Sequence, residues 1–138
     1  MDGCCALVWP GGTRLSASGL LVEIHTDEGI VGIGEAPGPT LPTIRTIIDA
    51  ELTQFLVGQD PLRTEWLVNR MEEFTRNWSR IAAYAISGIE IALLDIKGKA
   101  LGVPVAELLG GFCRRDVPVV GYLFIDEPEA NARKAAAF

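Results

Sequence analysis

The side chains best equipped for chemistry in this chain are one histidine, three cysteines, a Gly-x-Gly pair and a charged run around position 97. His25 carries the right group for a general base. It stands on the polar side of an alternating stretch, beside a turn, and reads as an exposed strand residue. Cys4, Cys5 and Cys113 offer thiolates. An odd count with one adjacent pair and no C-x-x-C makes neither a disulfide framework nor a zinc set. They read as reduced thiols of a cytoplasmic protein. Gly32-Ile33-Gly34 follows a strand, as a dinucleotide loop would. That fingerprint needs its third glycine where Pro37 stands, and needs a helix directly after it. Asp95, Lys97 and Lys99 place acid and base close together. Asp95 and Lys99 are spaced i,i+4, the spacing of a helix-surface ion pair worth about 0.2–0.5 kcal/mol. Arg114 and Arg115 read as a linker charge pair.

The chain that must position these groups has 138 residues, 49% of them hydrophobic and 22% charged, with a net charge of −6. That composition buries the core of one globular domain, with at most a stub of a second. The acidic balance argues against a general nucleic-acid binder, because nothing neutralises a run of phosphates. No apolar run reaches the ~18 residues of a membrane span. Asp2 stands where a secretory signal would carry positive charge.

The pattern of elements is α+β. Cys4–Trp9 reads as an edge strand, broken by Pro10, Gly11 and Gly12. In Gly19–His25, Val22 and Ile24 face one way and Leu21, Glu23 and His25 the other. A turn at Thr26–Gly29 leads into a return strand over 30–34, which predicts a three-stranded antiparallel meander. Ala36–Pro42 is loop. Apolar residues at 44, 47, 48, 52, 55 and 56 predict a helix over 43–57, ended by Gly58. Asp60-Pro61 reads as N-cap and N1 of a second helix, with Leu62, Trp66, Leu67, Met71 and Phe74 as its apolar stripe. A third helix is predicted over 80–101, with small residues at 82, 83, 85, 87, 88 and 92 that let another element pack close. Gly102 stops it, and Pro104 opens a short helix over 105–109. Val117–Ile125 is nearly continuously apolar, as in a strand buried on both faces of a parallel sheet. Asp126 or Glu127, with Pro128, opens a last helix. Phe138 falls inside that helix with no stop signal, the mark expected of a cut chain.

Three motifs make this chain resemble the enolase superfamily, in its mandelate racemase and muconate lactonizing enzyme branch. LLVEIHTDEGIVGIGEA at Leu20–Ala36 is similar to the family's T-D-x-G-x-x-G-x-G-E. GQDP at Gly58–Pro61 is the second. SGIEIALLDIKGKALGVPVAELLGG at Ser87–Gly111 resembles S-G-I-D-x-A-L-W-D-x-x-G-K-x-x-x-x-P-x-x-x-L-L-G-G, with Glu90 for Asp and Leu94 for Trp. The resemblance implies a capping domain over residues 1–112: a meander and a three-helix bundle like the enolase N-terminal domain. Residues 113–138 would be the first strand and helix of a truncated TIM-like barrel.

Members of that family bind a carboxylate substrate on Mg²⁺ and remove the proton next to it, with Lys or His as base. The metal meets the negative charge of the enediolate. Reprotonation, loss of a leaving group or ring chemistry then gives racemase, dehydratase or cycloisomerase. The base and metal carboxylates belong to later barrel strands, so the resemblance carries no catalytic residue and no metal ligand onto this chain. Mg²⁺ is expected in a full-length parent and not here, and the chain alone is expected to be inactive. What it would supply is a substrate lid: Thr13 and Arg14 in the loop after the first strand, and Glu35, Pro37 and Thr40 around the loop after the hairpin. Tyr122 and Phe124, towards the far end of the first barrel strand, would reach the pocket wall. For Glu35 a second reading stays open, a charge that fixes its loop by hydrogen bonds. Expected partners are a small carboxylate substrate of the parent and further copies in a homo-oligomer, with no nucleic acid and no membrane. The other class of function is a free-standing, non-catalytic α+β module that dimerises through its C-terminal strand and helix, because a lone apolar strand exposes unpaired edges.

Overall fold

The computed structural model of the chain describes residues 7–9, 12–14, 19–78, 80–118 and 127–136. They fall in two compact units. One is Ser18–Phe112, and the other joins Met1–Ala17 to Cys113–Phe138.

In the smaller unit, β1 (Leu7–Trp9) pairs antiparallel with β2 (Gly12–Arg14), Leu7 opposite Arg14 and Trp9 opposite Gly12. This corrects the expected meander. Among the described residues the first strand turns back on its own continuation rather than joining the next hairpin, and two separate two-stranded sheets result. The sequence between them, Pro10-Gly11, carries a strong turn signal, and the pairing follows it. The expected strand at 117–125 lies almost wholly outside the described residues, as do Tyr122 and Phe124. Val117, which is described, is exposed. The last helix is Pro128–Ala135, with Glu127 extended at φ −60°, ψ 141° before Pro128. The fixed φ of proline suits a first helical turn.

The larger unit holds the core. Strands β3 (Leu20–His25) and β4 (Val31–Ala36) form a hairpin, with Leu20 opposite Ala36 and His25 opposite Val31. Thr26 N–H donates to the Ile30 carbonyl at 3.0 Å, and Gly29 takes φ 81°. Val22 is buried while Leu21, Glu23 and His25 are exposed, as alternation requires.

The expected first helix is three segments in one run: α1 (Leu41–Thr46), a π-helical stretch Ile47–Leu52 and a 3₁₀ turn Thr53–Phe55. The Thr53 hydroxyl donates to the Ile48 carbonyl at 2.8 Å, five residues back, in keeping with the wider winding. Ile44, Ile47, Ile48 and Leu52 are buried all the same. Gly58 closes the run at φ 74°.

The second helix, α2, is Thr64–Thr75 and starts later than Asp60-Pro61 predicts. Asp60 spends its carboxylate on the Leu62 N–H at 2.9 Å, a tight turn that delays the helix. The later start changes the buried face. Thr64, Leu67, Met71 and Thr75 point inward, while Leu62, Trp66 and Phe74 stay more than a third exposed. The expected single stripe is therefore two.

The third helix, α3 (Arg80–Leu101), has the bounds its sequence predicts. Gly102 at φ 68° ends it, with Val103 N–H donating to the Gly98 carbonyl at 3.0 Å, a Schellman closure. The short α4 is Val105–Leu108. Helix α3 is the spine: β4, β3, α1 and α2 all pack on it. Its small residues have a definite partner. A Cβ on Gly34 would fall on the Gly88 carbonyl oxygen and 2.8 Å from the Ala92 nitrogen, and a Cβ on Gly88 would lie 2.7 Å from the Ala36 Cβ. Strand β4 lies backbone to backbone on α3, and the hairpin and helix motifs meet there.

Candidate substrate-lid site

The loop after the hairpin leaves the core at Ala36 and re-enters it at Ile44, both 0% exposed. Between these anchors the chain displays Glu35, Pro37 and Thr40 on the surface. Glu35 belongs to β4 opposite Leu21, so alternation turns it outward while Gly34 and Ala36 face α3. Its carboxylate folds over Gly19 and occupies the place a Cβ there would need. Gly38 takes φ 140°, and a Cβ on it would meet Ile44 and the Tyr84 ring. Thr40 stands ahead of α1 at φ −133°, ψ 74°, its carbonyl accepting from Ile44 N–H at 3.1 Å. The loop is thus short, anchored at both ends by buried residues, with Gly38 close to the Tyr84 ring in the middle. No hydrogen bond ties Glu35 to the loop backbone among the described residues, so its loop-fixing reading gains no support there. Thr13 and Arg14 lie in β2 of the other unit.

A groove of about 1060 Å³ runs beside β3 in the larger unit. Its floor includes Ile48, Leu67, Ile89 and Leu93, and its rim carries Glu23, Asp27, Asp49 and Asp60. Arg45 on the same rim is engaged by Asp49 at 3.2 Å. A rim of carboxylates disfavours an anionic ligand in this groove. His25 is exposed, with Nε2 3.2 Å from a Glu23 oxygen. Cys113 is free and exposed.

Asp95 and Lys99 form the expected ion pair, 2.7 Å apart. Spacing alone missed their reach. Asp95 also accepts from the Ile33 N–H at 2.8 Å, and Lys99 donates to the Val31 carbonyl at 2.7 Å. The pair clamps the edge of β4 that faces away from β3. Lys99, and next the Ile33 N–H, hold the Asp95 carboxyl below its ordinary range. Signs of this were present in the sequence, since Gly32, Gly34, Gly88 and Ala92 bring β4 close enough for helix side chains to span.

Among the described residues no three His, Cys, Asp or Glu side chains come together as a metal site. No helix among those residues is long and apolar enough to cross a membrane.

Residues 7–110 match the family described as mandelate racemase / muconate lactonizing enzyme, N-terminal domain. The chain belongs to the enolase superfamily. Within that superfamily it is 42% identical over 120 residues to a D-galactonate dehydratase of Pectobacterium atrosepticum, covering 83% of this chain and 30% of that enzyme. The chain thus spans less than a third of the dehydratase's length. A 2-chloromuconate cycloisomerase from Rhodococcus opacus superposes with TM-score 0.84 at 27% identity, over 97% of this chain and 37% of that one. An enolase from Agrobacterium radiobacter, solved with sodium and L-malate, superposes with TM-score 0.65 at 37% identity, over 70% of this chain and 25% of that one. The enolase-superfamily N-terminal domain accounts for the α+β order of elements seen here, a hairpin followed by helices.

Proposed function

We propose that this chain is the capping, substrate-lid portion of a Mg²⁺-dependent enzyme that removes the proton next to a carboxylate. Residues 1–112 are the cap, and residues 113–138 are the first strand and helix of its barrel. An acid-sugar dehydratase is the favoured member, ahead of a racemase, epimerase or cycloisomerase. The observation that carries this reading is the 42% identity to a D-galactonate dehydratase across most of the chain. The L-malate bound by the Agrobacterium relative supports a small carboxylic acid as the substrate class.

In this reading Glu35, Pro37 and Thr40 form the lid surface. Their loop excludes water from the acid and selects among acids by the groups it presents. Thr13, Arg14, Tyr122 and Phe124 are assigned to lid and wall on sequence grounds. The tethering of the loop at Ala36 and Ile44 suits that task, because a lid must return to one position to discriminate. The base and the Mg²⁺ ligands belong to the rest of the parent enzyme. The parent acts in the cytoplasm as a homo-oligomer.

Two measurements test this. Calorimetric titration of the 138-residue chain with Mg²⁺ is expected to give no micromolar binding; such binding would place a metal site in this chain and overturn the assignment. The reading frame of the parent should supply a Lys or His base and spaced Asp or Glu ligands on later barrel strands, and the purified parent should dehydrate an acid sugar. A parent without those residues, or with them and inert on every acid sugar and cycloisomerase substrate tried, refutes the enzymatic reading.

A further inference from the structure

The π-helical stretch Ile47–Leu52 interrupts a helical run at the point where a carboxylate would otherwise enter the core. In an α-helix, residues three and four apart stack on one face. Glu51 is four residues after Ile47 and three after Ile48, so α winding would set its side chain directly over two buried isoleucines. The wider winding bonds each N–H to the carbonyl five residues back. It puts Leu52, five residues after Ile47 and four after Ile48, in that place instead. Leu52 is accordingly 0% exposed, while Glu51 is only half-buried. The Thr53 amide and hydroxyl both donate to the Ile48 carbonyl, the hydroxyl at 2.8 Å, and close the wide turn. The Glu51 carboxylate has no hydrogen-bond or ion-pair partner among the described residues.

We propose that Glu51 is a positioning residue for the loop over 37–40, acting through the winding of the run that follows it. A carboxylate set over Ile47 and Ile48 would lose its water with nothing to replace it, so the run takes the wide turn. The wide turn shortens the run by about 1.5 Å, the rise of one α-helical residue. That length matters at the loop. The far end of the run is held by Phe55, whose ring centroid lies 5.1 Å from that of Phe74 on α2, and by Gly58 at φ 74°. The near end carries Ile44 and continues into the exposed loop, where Gly38 lies against Ile44 and the Tyr84 ring. Wound wholly as α-helix, the run pushes α1 towards the loop and lifts Gly38 off Tyr84. Deleting Glu51 cancels both effects. Leu52 then follows Ala50 directly and takes the α position over Ile47 and Ile48, with no surplus length. That the loop serves as a lid rests on the function proposed above; that Glu51 sets its place does not.

Nuclear magnetic resonance on the full 138-residue chain tests this. The through-hydrogen-bond coupling of the Thr53 amide reads the winding. It should fall on the Ile48 carbonyl in the wild type and in Glu51→Gln, whose amide is as unwelcome over the isoleucines as the carboxylate. In Glu51→Leu and Glu51→Met it should move to the Asp49 carbonyl. The nuclear Overhauser contact between Gly38 and the Tyr84 ring reads the loop. It should persist in the wild type and in Glu51→Gln, and be lost in the leucine and methionine variants. The variant lacking Glu51 should keep both signals, because Ile48 is then four residues before Thr53 and the length is restored; nonspecific damage would spare neither. Leucine and methionine variants that keep the coupling on Ile48 overturn the proposal. So does rewinding that leaves the Gly38–Tyr84 contact intact, or a deletion variant that loses it. Circular dichroism checks folding, and failure of both apolar variants to fold also overturns it, since they complete an α-helical stripe at 44, 47, 48, 51 and 55. Any of these failures leaves the enzymatic reading of the parent standing, and a parent without activity leaves the winding result standing.

Discussion

Gly34→Ala should destabilise the protein, against the usual sign for glycine in a strand. Alanine normally gains about 0.4–1 kcal/mol over glycine where the backbone allows it, by restricting the unfolded chain. Gly34 is in β4 and has no positive φ, so its backbone accepts alanine. The obstacle is space. The added methyl would fall on the Gly88 carbonyl oxygen and 2.8 Å from the Ala92 nitrogen. Both are backbone atoms of a 22-residue helix, so no side chain can swing aside. Relief requires β4 and α3 to part, and that opens contacts around Ile89 and Leu93, which are 0% and 1% exposed. Overpacking of this kind costs about 1–3 kcal/mol. After the entropic gain is set against it, a net loss of about 1–2 kcal/mol remains, or roughly 4–16 °C in Tm for a unit of this size. Urea titration and calorimetry of the purified variant would measure it. A Gly34→Ala protein as stable as the parent, or more so, would refute the account of β4 lying directly on the helix backbone.

Other outcomes follow from the same structure. Gly102→Ala should cost about 1 kcal/mol for a different reason: the site is open, with nothing within 4 Å, but its φ of 68° suits glycine alone. A neutral result in urea titration would count against the Schellman closure. Asp95→Asn should cost less than about 1 kcal/mol at neutral pH, since the pair is partly solvated. It should also speed exchange of the Ile33 amide. The folded Asp95 carboxyl is held below its ordinary value of 3.8, so the folded state binds that proton less tightly than the unfolded chain. Its contribution is complete above the unfolded value and disappears as pH falls through the lower folded one. The stability gap between the wild type and Asp95→Asn should therefore close on acidification below about pH 4. A gap constant down to pH 2 would show that the carboxylate carries no stabilisation through Lys99 and Ile33.

Much of this was legible in the residues, for reasons that differ by element. Helix α3 keeps its predicted bounds because Gly102 marks its end unambiguously and its small residues forecast a close neighbour. The hairpin β3–β4 follows from alternation and from the Thr26–Gly29 turn. Helix α2 began late because Asp60 satisfies the Leu62 N–H instead of capping a helix, a choice between two local uses of one carboxylate that spacing does not decide. Its aromatic residues were then assigned to one stripe when they belong to two. The pairing of β1 was misjudged because a three-stranded meander and two separate hairpins share one hydrophobic pattern, and the Pro10-Gly11 signal favours the nearer partner. The exposed loop that carries Pro37 and Thr40 could be read from its proline and glycine content. The clamp by Asp95 and Lys99 could not be read from either motif separately, because it exists only where the two cross.

That clamp has a consequence for how the protein behaves in crowded solution. The free margin of a β-sheet is a template on which further chains add and from which fibrils grow. Natural proteins often blunt such margins with proline, a bulge or a lysine on the strand itself. Here the safeguard comes from a neighbouring helix: Asp95 and Lys99 occupy the donor of Ile33 and the acceptor of Val31 that an incoming strand would need. The strand can stay regular and glycine-rich for packing while that side of the hairpin is closed to recruitment.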